Sequence, residues 1–90
     1  MSAEKQRLTV LNRLSAEYPA SVSLEELRKD TALHEADFRR TVAYLEEKAL
    51  IDVIDLKEGV GGVFGEARIT ASGLDFVECS ARRVRASWIR

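Results

Sequence analysis

The sequence predicts an α+β fold that is mainly α: three helices in succession, then a β-hairpin, then a last helix. Three observations lead there. Apolar residues recur every three or four positions over residues 2–17, 23–31 and 35–48, the helical period. Two β-rich runs then flank Gly59, Gly61 and Gly62. A second helical stripe follows Thr70.

Residues 2–17 hold no Gly or Pro and place Leu8, Leu11, Leu14 and Tyr18 on one helical face. Pro19 stops that helix, because the residue before a proline avoids the helical region. Ser23-Leu24-Glu25-Glu26 has the form of a capping box, in which hydroxyl and carboxylate satisfy two orphan amides. It opens a short second helix that turns Leu24 and Leu27 inward and ends near Asp30 or Thr31. The third helix runs from about Glu35 to Lys48. At about 100° per residue, Phe38, Thr41, Val42, Leu45 and Ala49 share one face. Ala36, Arg40, Ala43 and Glu47 take the opposite face, flanked by Arg39 and Tyr44. One side of this helix packs and the other is offered outward.

The runs Leu50–Leu56 and Val63–Ile69 read as a hairpin with a loop longer than a two-residue turn. The first run does not alternate cleanly, so its register stays open. Whether Phe64 points outward or covers the hairpin base stays open with it. Thr70 caps the final helix, on which Leu74, Val77, Ala81, Val84 and Trp88 form a narrow stripe of the kind a helix pair uses.

Ninety residues suit one domain over 1–90, with a core at about 5–80 and a basic helical extension at 81–90. No apolar run approaches the roughly 20 residues of a membrane helix. The polar start Met1–Arg7 shows no signal peptide, and a cytoplasmic location is expected. One cysteine, Cys79, excludes an internal disulfide, and with a single His34 it leaves no Cys/His cluster for a metal. His34, just before the third helix, reads as a turn or capping residue, and Cys79 as a small buried hydrophobe. The glycine-rich stretch Gly59–Gly65 is followed by a β-run rather than a helix and lacks a Lys-Ser/Thr pair. It reads as a hairpin turn, not a phosphate cradle. No paired carboxylates or activated nucleophile stand out, so neither an enzyme nor a cofactor is expected. The net charge is −1 and uneven: residues 71–90 sum to +2 and the remainder to −3.

Three stretches carry a resemblance to known proteins. Leu24-Glu25-Glu26-Leu27 through Ala32-Leu33 looks like the second helix and tight turn of a helix-turn-helix, with Ala32 where many members have Gly. Tyr44-Leu45-Glu46-Glu47-Lys48-Ala49-Leu50-Ile51 resembles the frequent recognition-helix ending L-E-E-K-G-L-I, with Ala49 for Gly. Ile69-Thr70-Ala71-Ser72-Gly73-Leu74 resembles the L-T-x-x-G segment that follows the wing in MarR-like and PadR-like proteins. Together they cover about residues 5–80 and resemble the winged helix-turn-helix superfamily of small bacterial and phage regulators.

The resemblance implies a third helix in the DNA major groove and a hairpin wing on the backbone or minor groove. Carried over by position, the residues facing double-stranded DNA are Ala36, Asp37, Arg39, Arg40, Ala43 and Tyr44, with Glu35 at the helix start and Lys57 on the wing. The charges also sustain a second expectation, a protein-interaction module that does not bind DNA. The third helix sets Arg39, Arg40 and Lys48 against Glu35, Asp37, Glu46 and Glu47, and the wing sets Lys57 and Arg68 against Asp52, Asp55, Glu58 and Glu66. The final stripe, Leu74, Val77, Ala81, Val84 and Trp88, predicts a homodimer through the terminal helices, since Val84 and Trp88 lie beyond the usual winged-helix body.

Overall fold

The computed structural model describes residues 2–59 and 62–88, with side chains as far as Ser80 save those of Glu58 and Val63. Helix α1 spans Ala3–Ser15. Ser2 caps it, its Oγ accepting from the Lys5 N–H at 3.2 Å. Gln6, Val10, Leu11 and Leu14 are its buried face. The helix ends two residues earlier than expected, so Tyr18 falls in the following turn and is exposed rather than part of the stripe.

A two-residue strand, β1 (Val22–Ser23), comes next and was not expected. Val22 is buried, and Ser23 pairs with Glu66 across the ladder. This pairing explains why the expected capping box does not form. Ser23 does precede helix α2 (Leu24–Thr31), but it is held as a strand residue and its hydroxyl makes no cap hydrogen bond. Leu24 and Leu27 are fully buried, and the Thr31 hydroxyl donates to the Leu27 carbonyl at 2.8 Å. Ala32 then ends α2 in the left-handed region, φ 55°, with its N–H donating to the Arg28 carbonyl at 3.0 Å.

Helix α3 spans Glu35–Glu47. Phe38, Thr41, Val42 and Leu45 are buried, as the helical period predicts. Ala49 lies beyond the helix and is exposed, with φ 59°. Two backbone bonds show why it takes that conformation. Ala49 N–H donates to the Glu46 carbonyl at 2.9 Å and Leu50 N–H to the Leu45 carbonyl at 3.0 Å, the paired bonds of a Schellman ending.

Strands β2 (Ile51–Gly59) and β3 (Gly62–Ile69) complete an antiparallel sheet in the order β1-β3-β2. Ile51 pairs with Ile69 and Val53 with Ala67, and these residues face the helices. The register shifts between Ile54 and Lys57, where Asp55 adopts φ 54°. This irregularity is the reason the first run does not alternate. Gly59 pairs with Gly62, leaving two residues between the strands, a shorter connection than expected.

Helix α4 spans Ala71–Trp88. Thr70 fastens its start to the end of α3. Its hydroxyl accepts from the Gly73 N–H at 3.0 Å and donates to the Ala49 carbonyl at 2.8 Å, while its own N–H donates to the Leu50 carbonyl at 3.0 Å. Gly73 is required at this crossing: a Cβ there would lie 2.6 Å from Ile69 Cγ1 and collide with the Leu50 carbonyl oxygen. Leu74 and Val77 pack against the core, which centres on Leu11, Leu14, Leu24, Leu27, Phe38 and Ile69. Cys79 is exposed rather than buried, on a turn of α4 where those two residues are the ones that reach the core.

On the far side, Arg13 Nε donates to Asp30 Oδ2 at 2.8 Å and ties α1 to the end of α2. That hydrogen bond holds the guanidinium pKa above its ordinary value. No helix of the described residues is long and apolar enough to cross a membrane.

Candidate nucleic-acid interface

The outward side of α3 is built by the turn that precedes it. Left-handed Ala32 ends α2, buried Leu33 anchors the connection, and His34 enters α3 in an extended conformation. His34 occupies the N-cap position, but its side chain makes no cap hydrogen bond. Phe38, Val42 and Leu45 fasten the inner face, so Ala36, Arg39, Arg40 and Ala43 are all exposed on the outer one. The small side chains of Ala36 and Ala43 leave α3 free to approach a surface closely.

The two arginines are held locally in the free protein. Arg39 Nη2 lies 3.4 Å from Glu35 Oε1, and Arg40 Nη2 lies 3.4 Å from Asp37 Oδ1. The Arg40 side chain is 73% exposed. Exposed pairs of this kind contribute little, about 0–1 kcal/mol, so either guanidinium is released to another acceptor at small cost. Glu35 and Asp37 also lie in the first turn, where the helix dipole favours negative charge.

Tyr44 lies apart from this group. It is turned about 100° from Ala43 around the helix. Its half-buried ring lies under Arg7, whose guanidinium carbon is 3.7 Å from the ring centroid, with Lys48 Nζ at 5.7 Å. The placement depends on α1 crossing α3, which no local sequence signal announces.

The wing carries exposed Lys57, opposite Phe64 in the ladder. Phe64 is 41% exposed while Ala67 and Ile69 are buried, which settles its direction as outward. Ile54 and Leu56 are exposed as well. Asp52 takes up Arg68 at 3.1 Å, and Glu66 accepts from the Ser21 hydroxyl at 2.7 Å. A shallow groove of about 80 Å³ separates the wing from α3, lined by Arg39, Val42, Ala43, Val53 and Leu56 among others. Sequence reading missed Leu56 because the register shift alters the face it occupies.

Of the residues expected to form a dimer seam, Leu74 and Val77 are partly spent on the core. Ala81, Val84 and Trp88 lie on the helical backbone of α4, but their side chains fall outside those described. Among the described residues no group of His, Cys, Asp and Glu is placed to hold a metal ion.

No protein-family model matches the chain, and no curated protein matches it by sequence. Among solved structures, the crystal structure of the oxidized form of MarR from E. coli is similar, with a TM-score of 0.64 and 21% identity over 84% of this chain. The chain spans about half of that protein, 51% of its length. The shared architecture is the winged helix: three helices, a hairpin and a following helix.

Proposed function

We propose that the chain is a DNA-binding transcriptional regulator of bacterial or phage type, acting in the cytoplasm through the outer face of α3. The observation that carries this reading is the exposed pair Arg39 and Arg40, presented beside the small residues Ala36 and Ala43 on a helix that follows a left-handed turn. A guanidinium reaching a guanine edge contributes roughly 1–3 kcal/mol of discrimination, and each phosphate neutralised releases counterions. Asp37 sits at the helix start and positions Arg40. Lys57 adds a backbone contact from the wing. Tyr44 acts at one remove, by holding α1 against α3.

Titration of pooled genomic DNA at low salt tests this. Wild-type protein is expected to shift the DNA, and an Arg39→Ala/Arg40→Ala variant to lose most of that binding while keeping its helical circular dichroism. Absence of any wild-type shift would end the proposal.

The wing favours a second reading. Ile54, Leu56 and Phe64 are each exposed on the wing, Leu56 toward the α3 groove, and Lys57 is exposed beside Leu56. Exposed apolar surface of this kind suits a protein partner better than a phosphate backbone. Under this reading the fold serves as an interaction module, and Phe64→Ser would abolish partner binding while leaving any DNA shift intact.

A further inference from the structure

A second concave surface lies on the flank of the molecule. It is a groove of about 300 Å³ between α1, the end of α3 and the first half of α4. Its floor is apolar: Leu8 from α1, Tyr44 from α3, Leu50 from the connection and Phe76 from α4, the last 45% exposed. Arg7 and Lys48 stand on its rim.

The charges around it are not balanced locally. Arg13, Arg39, Arg40 and Arg68 each have a carboxylate within 3.4 Å, whereas Arg7 and Lys48 lie over the Tyr44 ring and make no ion pair among the described residues. Glu4, one turn before Arg7, is the acid on the lining. Ser80 closes the groove on α4, and the sequence that continues from it holds Arg82, Arg83, Arg85 and Arg90 with no acid at all. The apolar floor is thus bordered by cations on two elements, Arg7 of α1 and Lys48 at the end of α3. A second copy's own basic C-terminal sequence, with four arginines and no acid over 81–90, is repelled from such a rim.

We propose that this groove is a docking site for an acidic amphipathic helix of a partner protein. Apolar side chains spaced at i, i+3, i+4 and i+7 would seat between Leu8, Tyr44, Leu50 and Phe76, and carboxylates flanking them would meet Arg7 and Lys48. The Arg7–Tyr44 stack presents the Tyr and Arg types that dominate interface hot spots. The groove lining includes none of Ala36, Arg39, Arg40 and Ala43 and shares only Tyr44 with the residues of the DNA-binding reading, so variants at Lys48 and Phe76 test it separately.

The test uses the full chain, isotopically labelled for nuclear magnetic resonance, and a helical peptide of about 15 residues with Leu and Phe at those spacings and Glu elsewhere. A counterpart with Lys for every Glu, a scrambled sequence and benzoate serve as comparison probes. The acidic peptide is expected to shift the amides of Leu8, Tyr44, Leu50 and Phe76 and to bind more tightly as salt is lowered. The Lys peptide and the scramble should bind at least about tenfold more weakly. Lys48→Ser and Phe76→Ser, both exposed positions, should each weaken binding about tenfold with the spectrum otherwise folded.

Several results overturn the proposal. They are no binding, equal binding of the Lys peptide, and benzoate shifting the same amides where the peptide does not. Shifts centred on Arg39 and Arg40, or loss of binding only when Arg82, Arg83 and Arg85 become Ser, would do so too. So would self-association that protects the same amides without peptide, which makes a second copy the occupant.

Discussion

Two alanines hold positions that favour glycine. Ala32 at φ 55° and Ala49 at φ 59° each end a helix, and each accepts this conformation so that its N–H can satisfy an otherwise orphaned carbonyl. A left-handed L-residue costs roughly 1–2 kcal/mol, which glycine avoids while losing more freedom on folding. Ala32→Gly and Ala49→Gly are therefore each expected to stabilise the fold by about 0.5–1 kcal/mol in urea titration, with an unchanged slope. A loss of stability in both would show that the Cβ atoms make contacts that outweigh the strain. Gly73 behaves in the opposite sense. Its Cβ position is occupied by Leu50 backbone and Ile69 Cγ1, so Gly73→Ala is expected to cost at least about 1–3 kcal/mol by overpacking at the α4 crossing. The resemblance to a helix-turn-helix turn at Ala32, to L-E-E-K-G-L-I at Ala49 and to L-T-x-x-G at Gly73 made all three positions legible, because the residue types report backbone geometry. Cys79 was not legible in this way. Its spacing says that it is helical, and only the packing of α4 says that its face is exposed.

At the scale of elements, α3 was the most legible part of the chain. Its two faces separate on a helical period because one is sealed by Phe38, Thr41, Val42 and Leu45 and the other meets solvent. Strand β1 was invisible because two residues carry no period, and what forms it is the distant partner β3. The same tertiary pairing removed the expected capping role of Ser23. The wing was legible as a hairpin but not in detail, since an extra residue near Asp55 redirects the residues after it. The two elements are also expected to differ in how they engage DNA. Lys57→Ala should weaken binding evenly across sequences and reduce the slope of log K against log salt by about 1, as a phosphate contact does. Arg39→Ala or Arg40→Ala should change which sequence is preferred, by roughly 1–3 kcal/mol at one base position. A competition panel of mutated sites read at several salt concentrations separates these outcomes. If Lys57→Ala altered base preference instead, the wing would be entering a groove.

For the whole molecule, the charge of the sequence divides within α4. Residues 1–80 hold ten Lys and Arg against fifteen Asp and Glu, a net −5, while the four arginines of 81–90 bring the chain to −1. Leu74 and Val77, which pack against the core, fall on the acidic side of that division, and Val84 and Trp88 fall on the basic side in sequence. Helix α4 has 18 residues, a length of about 27 Å, and among its described side chains Leu74 and Val77 pack against the core. The apolar stripe nevertheless continues to Trp88, and burying a large apolar side chain contributes roughly 1.5–3 kcal/mol. We propose that a two-fold dimer through the second half of α4 would bury that stripe against its own copy, at the expense of bringing two sets of arginines together. Salt should therefore act with opposite sign on the two associations. Screening relieves the repulsion between arginines and strengthens the dimer, whereas DNA binding weakens as counterion release becomes less favourable. Sedimentation across a salt series reads the first effect and DNA titration the second. Val84→Asp/Trp88→Asp is expected to reduce the apparent mass to that of a monomer while leaving the spectrum of the core unchanged. A wild-type chain that stays monomeric at about 100 μM in both low and high salt would rule the dimer out and leave α3 to meet DNA as a single copy.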